Sequence, residues 1–343
     1  MEEDKREMED VEIKVDPKQE PIRIDKFLLA KLANVSRTRI QNAIKEGAVL
    51  VNNKQVKSNY KISPGEVIAF SMPKKHDKFD KVKPEDIRLD IIFEDEDVLI
   101  INKPAGLVMH PGVGNWTGTL VNGLAHYLRD TDLPVKEGEF YDRPGLVHRI
   151  DKNTSGLIVV AKSTLAMESL SKQFYDHSIK RKYKALIWGA LPEEKGTVDN
   201  YIGRNPANRL VNMVFPEENL GKRAITHWTV LEDLYYVSLV ECQLETGRTH
   251  QIRVHMKHLG HPLFSDERYE GNQIRKGTVF TKYKQFVQNC FKVMPRQALH
   301  AYALGFEHPR TKEEIYFEQE LPSDFAECLD KWRNYVEYRK ELI

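Results

Sequence analysis

The stretch GLVHRIDKNTSGLIVVAKS, residues 145–163, joins a charged turn to an apolar run and decides how the larger part of the chain folds. The four residues from Leu157 to Val160 are all apolar, which is typical of a strand buried on both faces. Asp151 precedes this strand, so we expect its carboxylate at the lip of a buried sheet, fixed and partly desolvated. An ordinary turn, with Asp151 and Asn153 as turn formers, is the alternative interpretation.

A second cluster, ETGRTHQIRVHM at 245–256, favours the functional interpretation of the first. It places Arg248 on a loop that leads into a predicted helix carrying Ile252 and Arg253. One carboxylate and one loop arginine, each flanked by small residues, are what an ion pair in a cleft requires. We therefore predict that Arg248 is the partner of Asp151.

The remaining apolar patterns of this region predict more strands than helices. Strand-like runs occur at 98–101, 157–160 and 236–244, and helices are predicted from about Thr164 to Asp176 and after Ser323. The predicted inward-facing side chains are Leu165, Met167 and Leu170 in the first helix and Phe325, Leu329, Trp332 and Val336 in the second. Because strands and helices alternate irregularly, the predicted fold class is α+β with a mixed, largely antiparallel sheet.

Length and charge distribution predict a second, smaller domain in front of this one. A chain of 343 residues is long enough for two domains. Its net charge of +1 results from 52 basic and 51 acidic residues. The charges are segregated, because the first twenty residues are mostly acidic and the stretch from Arg23 to Lys61 is mostly basic. We predict an acidic disordered tail at 1–20, a small domain at 21–72, a charged linker at 73–86 and the catalytic domain at 87–343.

The small domain is predicted to contain two short helices and a hairpin that turns at Asn52 and Asn53. Its sequence, RIDKFLLAKLANVSRTRIQNAIKEGAVLVNNKQVKSNYKISPGEVI, resembles the S4 RNA-binding module, a small α/β domain. A solvated helical face is the alternative for its basic residues, but the resemblance favours phosphate contacts whose strength falls with salt. The residues expected to bind RNA are Arg23, Lys26, Arg37, Arg39, Lys45, Lys54 and Lys57.

Several other functions lack their sequence signals. The chain has no GxxxxGK[ST] loop and no GxGxxG that opens a helix. His255, His258 and His261 have a spacing that suggests metal ligands, but they match no zinc pattern with a nearby cysteine or carboxylate. Three scattered cysteines indicate buried thiols in a reducing compartment, and no apolar run is long enough for a signal peptide or membrane span. We therefore expect a soluble, cytoplasmic protein without a metal or other cofactor.

Together, the motifs of the large domain resemble the RluA-type pseudouridine synthases from about Ile87 to Leu321. The similar segments are NKPAGLVMHPG at 102–112, HRIDKNTSGLIVVAK at 148–162, KYKALIWG at 182–189, GRTHQIRVHM at 247–256 and RQALHAYALGFEHP at 296–309. The resemblance implies the pseudouridine synthase fold and the isomerisation of uridine in RNA. This reaction gains no atom, so it needs no cofactor.

The resemblance also implies roles for individual side chains. Asp151 would act on the uridine as nucleophile or as stabiliser of positive charge on the sugar, and these alternatives stay open. Arg248 would bind that carboxylate and favour its ionised form. Arg149 would fill the space left by the flipped base, Tyr183 would lie on the uracil face, and Ile252 would form an apolar floor.

The S4 module, together with HPGVGNWTGTLVNGLAHYL at 110–128, resembles the branch of the family that modifies large-subunit ribosomal RNA. The expected partner is therefore this RNA, in a stem-loop, and the expected state is a monomer. A catalytically idle RNA-binding factor is the main competing interpretation. A metal-dependent nuclease would need several clustered carboxylates, and the sequence indicates one.

Overall fold

The computed structural model divides the chain into two compact units, Met1–Asp80 and Lys81–Ile343. It describes residues 8–31, 37–45, 47–73, 82–112, 114–129, 133–134, 143–278 and 280–340. Most of the predicted linker, residues 74–81, lies outside these ranges.

The N-terminal unit combines two helices with short strands. Its elements are β1 (Met8–Lys14), β2 (Ile22–Arg23), α1 (Ile24–Lys31), α2 (Arg37–Lys45), β3 (Val49–Val51), β4 (Lys54–Gln55), β5 (Lys61–Ile62) and β6 (Val67–Pro73). Four strands form a sheet in the order β1-β6-β3-β4, and β2 pairs with β5. Apolar side chains of both helices and the sheet, among them Phe27, Ile40 and Ile68, form one core.

Two predictions for this unit have opposite outcomes. The hairpin is confirmed, since β3 pairs with β4 and both Asn52 and Asn53 have positive φ, at 48° and 63°. The prediction of a disordered tail is wrong for residues 8–14, because β1 pairs antiparallel with β6 along its whole length. Val15, directly after β1, is fully buried. Alternating apolar residues in an acidic segment, Val11 and Ile13, let it add a strand to the sheet despite its charge.

The C-terminal unit is larger and is built around one sheet. Its elements are β7 (Ile91–Glu94), β8 (Val98–Lys103), α3 (Leu120–Tyr127), β9 (Ser155–Ala161), α4 (Thr164–Tyr175), β10 (Lys180–Trp188), β11 (Lys195–Arg204), β12 (Asn212–Phe215), β13 (Lys222–Asp233), β14 (Val237–Leu244), α5 (Gln251–His258), α6 (Thr281–Val293), β15 (Leu299–Glu307), β16 (Glu314–Glu318) and α7 (Ser323–Lys340).

The ten strands run in the order β12-β11-β13-β14-β10-β15-β9-β8-β7, and β16 pairs with β15. Neighbouring strands are antiparallel except β9 and β15, which are parallel. The predicted mixed, largely antiparallel sheet of an α+β protein is confirmed. Strand β9, which contains the apolar run of the opening motif, is buried along its whole length because apolar side chains cover both of its faces.

Helices pack on the sheet mainly as the apolar patterns predict. In α7, Phe325, Leu329, Trp332 and Val336 are all buried, which confirms the predicted stripe. In α4, Met167 and Leu170 are buried, as predicted. The prediction that Leu165 faces inward is wrong, because Leu165 is exposed and Ala166 is buried instead.

Two further sequence-based expectations concern the cysteines and the membrane. Cys242, Cys290 and Cys328 are free and buried, as predicted. Within the described ranges, each helix is too short or too polar to span a membrane.

Candidate active site

Asp151 lies in a cavity of about 610 Å³ in the C-terminal unit. The side chains around it come from the turn before β9, the end of α4, the first half of β10, the end of β14, the start of β15, and α5 with the loop that leads into it. The motifs at 148–162, 182–189 and 247–256, which are far apart in sequence, therefore meet at one place. Ligand pockets commonly have this size.

The backbone around Asp151 is held from both sides. Its carbonyl accepts a hydrogen bond from the Thr154 N–H at 3.1 Å, which closes the turn. The buried ammonium of Lys103, at the end of β8, donates to the carbonyl of Lys152 at 3.0 Å, and it also donates to two carbonyls of its own loop. Gly156 permits β9 to approach β15, because a Cβ there would lie 2.2 Å from the Ala301 oxygen. These contacts fix the carboxylate at the edge of the sheet.

Arg253, and not Arg248, is the arginine that binds Asp151. Its Nη1 donates to Asp151 Oδ2 at 2.9 Å. The Arg248 side chain lines the same cavity, but its Nε donates to the Arg223 carbonyl of β13 at 2.8 Å. The reason is local, since the Gln251 side chain binds both the Arg248 N–H and the Ile225 carbonyl and folds the loop onto β13. The predicted pairing of Arg248 with Asp151 is wrong.

Arg253 is itself held by a second carboxylate. Its Nε and Nη2 donate to the two oxygens of Asp266 at 2.7 and 2.9 Å, and its guanidinium lies 4.9 Å from the centre of the Tyr269 ring. Burial lowers the pKa of Arg253, but hydrogen bonds and charges from Asp266 and Asp151 outweigh it, so the pKa is raised overall. The guanidinium is therefore a permanent cation that fixes the rotamer of Asp151.

His250 stands beside the other oxygen of Asp151, with Nε2 3.9 Å from Oδ1. Its backbone has positive φ, at 60°, directly before α5. Burial lowers its pKa to about 4 despite the nearby Asp151, so the ring is neutral at pH 7. Its Nδ1 lies 2.8 Å from the Tyr269 hydroxyl, which already accepts the Asn212 N–H at 3.0 Å. A Tyr269 hydroxyl that donates to Nδ1 leaves the single ring proton on Nε2, towards Asp151.

Three other predicted site residues line the same cavity. Tyr183 on β10 and Ile252 on α5 are buried and contribute to its apolar wall. Burial raises the pKa of Tyr183, and the charge of Asp151 adds to this effect, whereas Arg181 opposes it. Arg149 also lines the cavity, and its side chain is exposed. The structure thus brings Asp151, Arg149, Tyr183, Ile252 and Arg248 together, whatever the role of each.

The predicted RNA-binding residues of the N-terminal unit differ in their surroundings. Lys26, Lys45, Lys54 and Lys57 are exposed. Arg23 instead forms a two-pronged ion pair with the buried Asp25, at 3.0 and 2.9 Å, so much of its hydrogen-bonding capacity is used within the fold. The side chains of Arg37 and Arg39 lie outside the described part of the chain.

Two of the three histidines with metal-like spacing, His255 and His261, have protein partners. His255 is buried on α5, with Nδ1 2.8 Å from the Thr226 hydroxyl and Nε2 3.0 Å from Asn200 Oδ1. His261 Nδ1 lies 2.8 Å from the Trp188 carbonyl. Among the residues that the structure describes, no three His, Cys, Asp or Glu side chains are grouped as metal ligands.

Sequence reasoning missed four members of the site: Arg253, Asp266, His250 and Tyr269. Arg253 and His250 are in the quoted motif at 245–256, so the signal was present and the wrong arginine was chosen. Nothing in the local sequence links Asp266 and Tyr269 to Asp151, because both follow α5 and are connected to Asp151 only through their contacts with Arg253.

Comparison with known sequences agrees with this geometry. The sequence profile of the RNA pseudouridylate synthase family matches residues 97–258, and that of the S4 domain matches residues 22–68. An RNA pseudouridine synthase of Chlorobaculum parvum is 45% identical over 93% of this chain and 96% of its own length. The chain therefore belongs to the RNA pseudouridine synthase family and carries an S4 RNA-binding domain.

Two other similar proteins give more detail. The ribosomal large subunit pseudouridine synthase D of Neisseria meningitidis serogroup B is 43% identical over 91% of this chain and 79% of its own length. The solved structure of human RNA pseudouridylate synthase domain containing 4 superimposes with a TM-score of 0.53 at 23% identity, covering 71% of this chain and 92% of its own. The latter likeness concerns the fold alone.

Proposed function

We propose that this protein isomerises specific uridines of large-subunit ribosomal RNA to pseudouridine, with Asp151 as the catalytic carboxylate. The observation that carries the proposal is the placement of Asp151, held by Arg253 through one oxygen in the family's cavity. The similarity to a large-subunit enzyme over most of both chains supports the choice of RNA. Such a substrate makes the cytoplasm the expected place of action and a stem-loop the expected target.

The reaction breaks the bond from uracil N1 to ribose C1′ and forms a bond from C5 to C1′. C5 loses a proton and N1 gains one, so the atoms balance without a co-reactant. Asp151 Oδ1 has no hydrogen-bond partner among the described residues and is the oxygen available to the substrate. It acts as nucleophile or stabilises positive charge on the sugar.

The other cavity residues suit the handling of a flipped base. The Tyr183 ring and the Ile252 side chain form an apolar wall. A detached uracil can turn against this wall without losing hydrogen bonds. The Tyr183 hydroxyl is proposed to lie near the carbon that loses its proton. Arg149, whose guanidinium can stack on bases, is proposed to fill the gap left in the RNA.

The cavity is also electrostatically suited to RNA. Asp151 is the one carboxylate among its described lining residues, whereas Arg149, Arg181, Arg248 and Arg253 also line it. Arg253 is neutralised by two carboxylates, so the other three arginines give the cavity an excess of positive charge. A polyanion is the partner that such a field attracts.

Sequencing of carbodiimide-treated ribosomal RNA from cells with and without this gene tests the function. We expect individual pseudouridines of the large-subunit RNA to disappear with the gene, to return with the wild-type gene and to stay absent with Asp151→Asn. An identical map in all strains would refute the proposal. If the strain without the gene grows more slowly, and Asp151→Asn restores its growth but not its pseudouridines, the result would instead favour a catalytically idle RNA-binding factor.

RNA contact by the S4 domain is tested separately. The double variant Lys54→Gln, Lys57→Gln removes two exposed charges of the hairpin and should lower the slope of log affinity against log salt by roughly 1–2. Lys18→Gln is the matched control, because Lys18 is exposed in the same unit but lies outside the matched domain. Equal slopes for both variants would mean that the hairpin does not touch the RNA.

A further inference from the structure

Arg181, the second residue of β10, is a buried arginine with few partners. It is 7% exposed and lines the cavity of Asp151. Its Nη2 donates to the Glu245 carbonyl at 2.9 Å, and its guanidinium lies 5.3 Å from the centre of the Phe174 ring. These contacts fix the plane of the guanidinium but use one of its five N–H groups.

The remaining hydrogen-bonding capacity of Arg181 is unmet within the described residues. Its Nε is buried without a hydrogen-bond partner, and no carboxylate in the described part of the chain forms an ion pair with it. A buried cation without a counter-ion is unfavourable, and an unsatisfied buried N–H adds to this cost. Burial accordingly lowers the pKa of Arg181, and the charge of Arg248 lowers it further.

Gly247 and Arg248, on the loop before α5, lie next to Arg181. A Cβ on Gly247 would lie 2.8 Å from Arg181 Nη1, so the glycine leaves space for the guanidinium. Arg248 follows directly, and its Nε is fixed on the Arg223 carbonyl, which leaves its terminal nitrogens for other contacts. Two guanidinium groups therefore share one wall of the cavity, and the described residues supply a carboxylate to neither.

We propose that Arg181 and Arg248 form a phosphodiester-binding subsite that holds the RNA backbone next to the target uridine. A phosphate satisfies both guanidinium groups, because arginine matches its oxygens in a two-pronged arrangement. The proposal rests on the RNA substrate of the proposed function and adds the contact that anchors the flipped nucleotide. It also gives Arg248 a partner other than Asp151.

Phosphate ethylation interference tests the subsite directly. The probe is an end-labelled fragment of large-subunit ribosomal RNA that contains a uridine mapped by carbodiimide sequencing. For the wild-type protein, ethylation of a phosphate that flanks this uridine should block binding. For Arg181→Gln, interference at that phosphate should disappear while interference elsewhere stays.

The affinity of the same variant gives a second readout. Arg181→Gln should weaken RNA binding about tenfold and lower the salt slope by about 0.7–0.9, as expected for one lost phosphate contact. The loss should appear in KM, while the rate at saturating RNA falls less than about threefold. Arg275→Gln is the control, because Arg275 pairs with Glu270 and does not line the cavity.

Gly247→Ala separates geometry from charge. The added methyl displaces the Arg181 guanidinium but keeps its charge, so interference at the flanking phosphate should weaken with little change in salt slope. Gly247→Ala also tests the subsite if Arg181→Gln does not fold. Thermal unfolding would show whether Arg181→Gln folds.

An unchanged interference pattern in both variants would overturn the subsite. So would a collapse of the saturated rate with intact interference, because Arg181 would then shape the catalytic pocket. Conversion of unmodified RNA by the wild-type protein is scored separately, so failure of the subsite is distinguishable from failure of the proposed function.

Discussion

Asp151 and Asp266 bind the same arginine from two sides and yet have different surroundings. Asp266 is 1% exposed, accepts two N–H groups of Arg253 and also accepts the Tyr269 N–H at 3.2 Å. Asp151 is 18% exposed and accepts one N–H group of Arg253, through Oδ2. One carboxylate is enclosed by the fold, whereas the other turns an oxygen to the cavity.

One ion-pair network thus contains an enclosed carboxylate, Asp266, and a partly exposed one, Asp151, which is the proposed catalytic group. A buried carboxylate whose oxygens are satisfied holds the arginine in place, since removing it would leave an uncompensated charge. A carboxylate with one fixed and one available oxygen is oriented but still able to react. Variants of the two carboxylates, of their shared arginine and of Tyr269 test this difference in turn.

The largest loss of activity is expected for Asp151→Asn. The amide keeps the size of the carboxylate but removes the charge and the reacting oxygen, so turnover should fall by at least about 10³-fold. RNA affinity should change little, because the phosphate contacts are elsewhere. Single-turnover assays on a large-subunit RNA fragment check this, and substantial conversion by the purified variant would refute the role of Asp151.

A smaller loss is expected for Arg253→Lys. A lysine keeps the charge but cannot serve Asp266 with two nitrogens and Asp151 with a third, so turnover should fall by about 10²-fold. Arg248→Lys is the matched control and should leave the saturated rate much closer to wild type. Equal losses in the two variants would contradict the assignment of Arg253 as the partner of Asp151.

Asp266→Asn should affect stability more than catalysis. It breaks a buried ion pair and turns an amide N–H group towards the guanidinium, which should lower the free energy of unfolding by about 3–5 kcal/mol. Turnover should fall only about tenfold, because Asp151 still orients Arg253. Urea unfolding and single-turnover rates check both parts. A variant as stable as wild type would show that Asp266 does not hold the arginine.

Tyr269→Phe should have a milder effect. It keeps the ring beneath Arg253 but removes the hydroxyl that places the proton of His250 on Nε2 and accepts the Asn212 N–H. Turnover should fall about fivefold and stability by about 1 kcal/mol. Nitrogen-15 NMR of His250 should change from the Nε2–H tautomer to a mixture. A spectrum equal to wild type would mean that Tyr269 does not set the tautomer.

The smallest effect is expected from pH. The pKa of His250 is lowered to about 4, so the ring stays neutral and its titration should change kcat less than about twofold between pH 8 and 6. Between about pH 6.5 and pH 4 the unfolded chain binds a proton that the folded chain does not, so stability should fall as the pH is lowered through this window. A kcat titration of His250 near pH 6.5 would contradict the buried, neutral ring.

Much of the fold followed from patterns that act over short distances. The stripe from Phe325 to Val336 has helical spacing, and the run from Leu157 to Val160 is apolar at every position, so both were predictable from side-chain periodicity. The acidic composition around Val11 and Ile13 led to the wrong prediction of disorder. The strand in this segment is stabilised by pairing with β6, which is a long-range contact.

The site divides in the same way. The family and the motifs that surround Asp151 were predictable from the sequence, because they depend on residue types in fixed order along the chain. Which arginine reaches Asp151 depends on how the chain folds around the cavity. Gln251 folds the loop onto β13 and turns Arg248 away, while the first turn of α5 directs Arg253 to both carboxylates. Such a choice depends on angles between elements, and local sequence does not encode those angles.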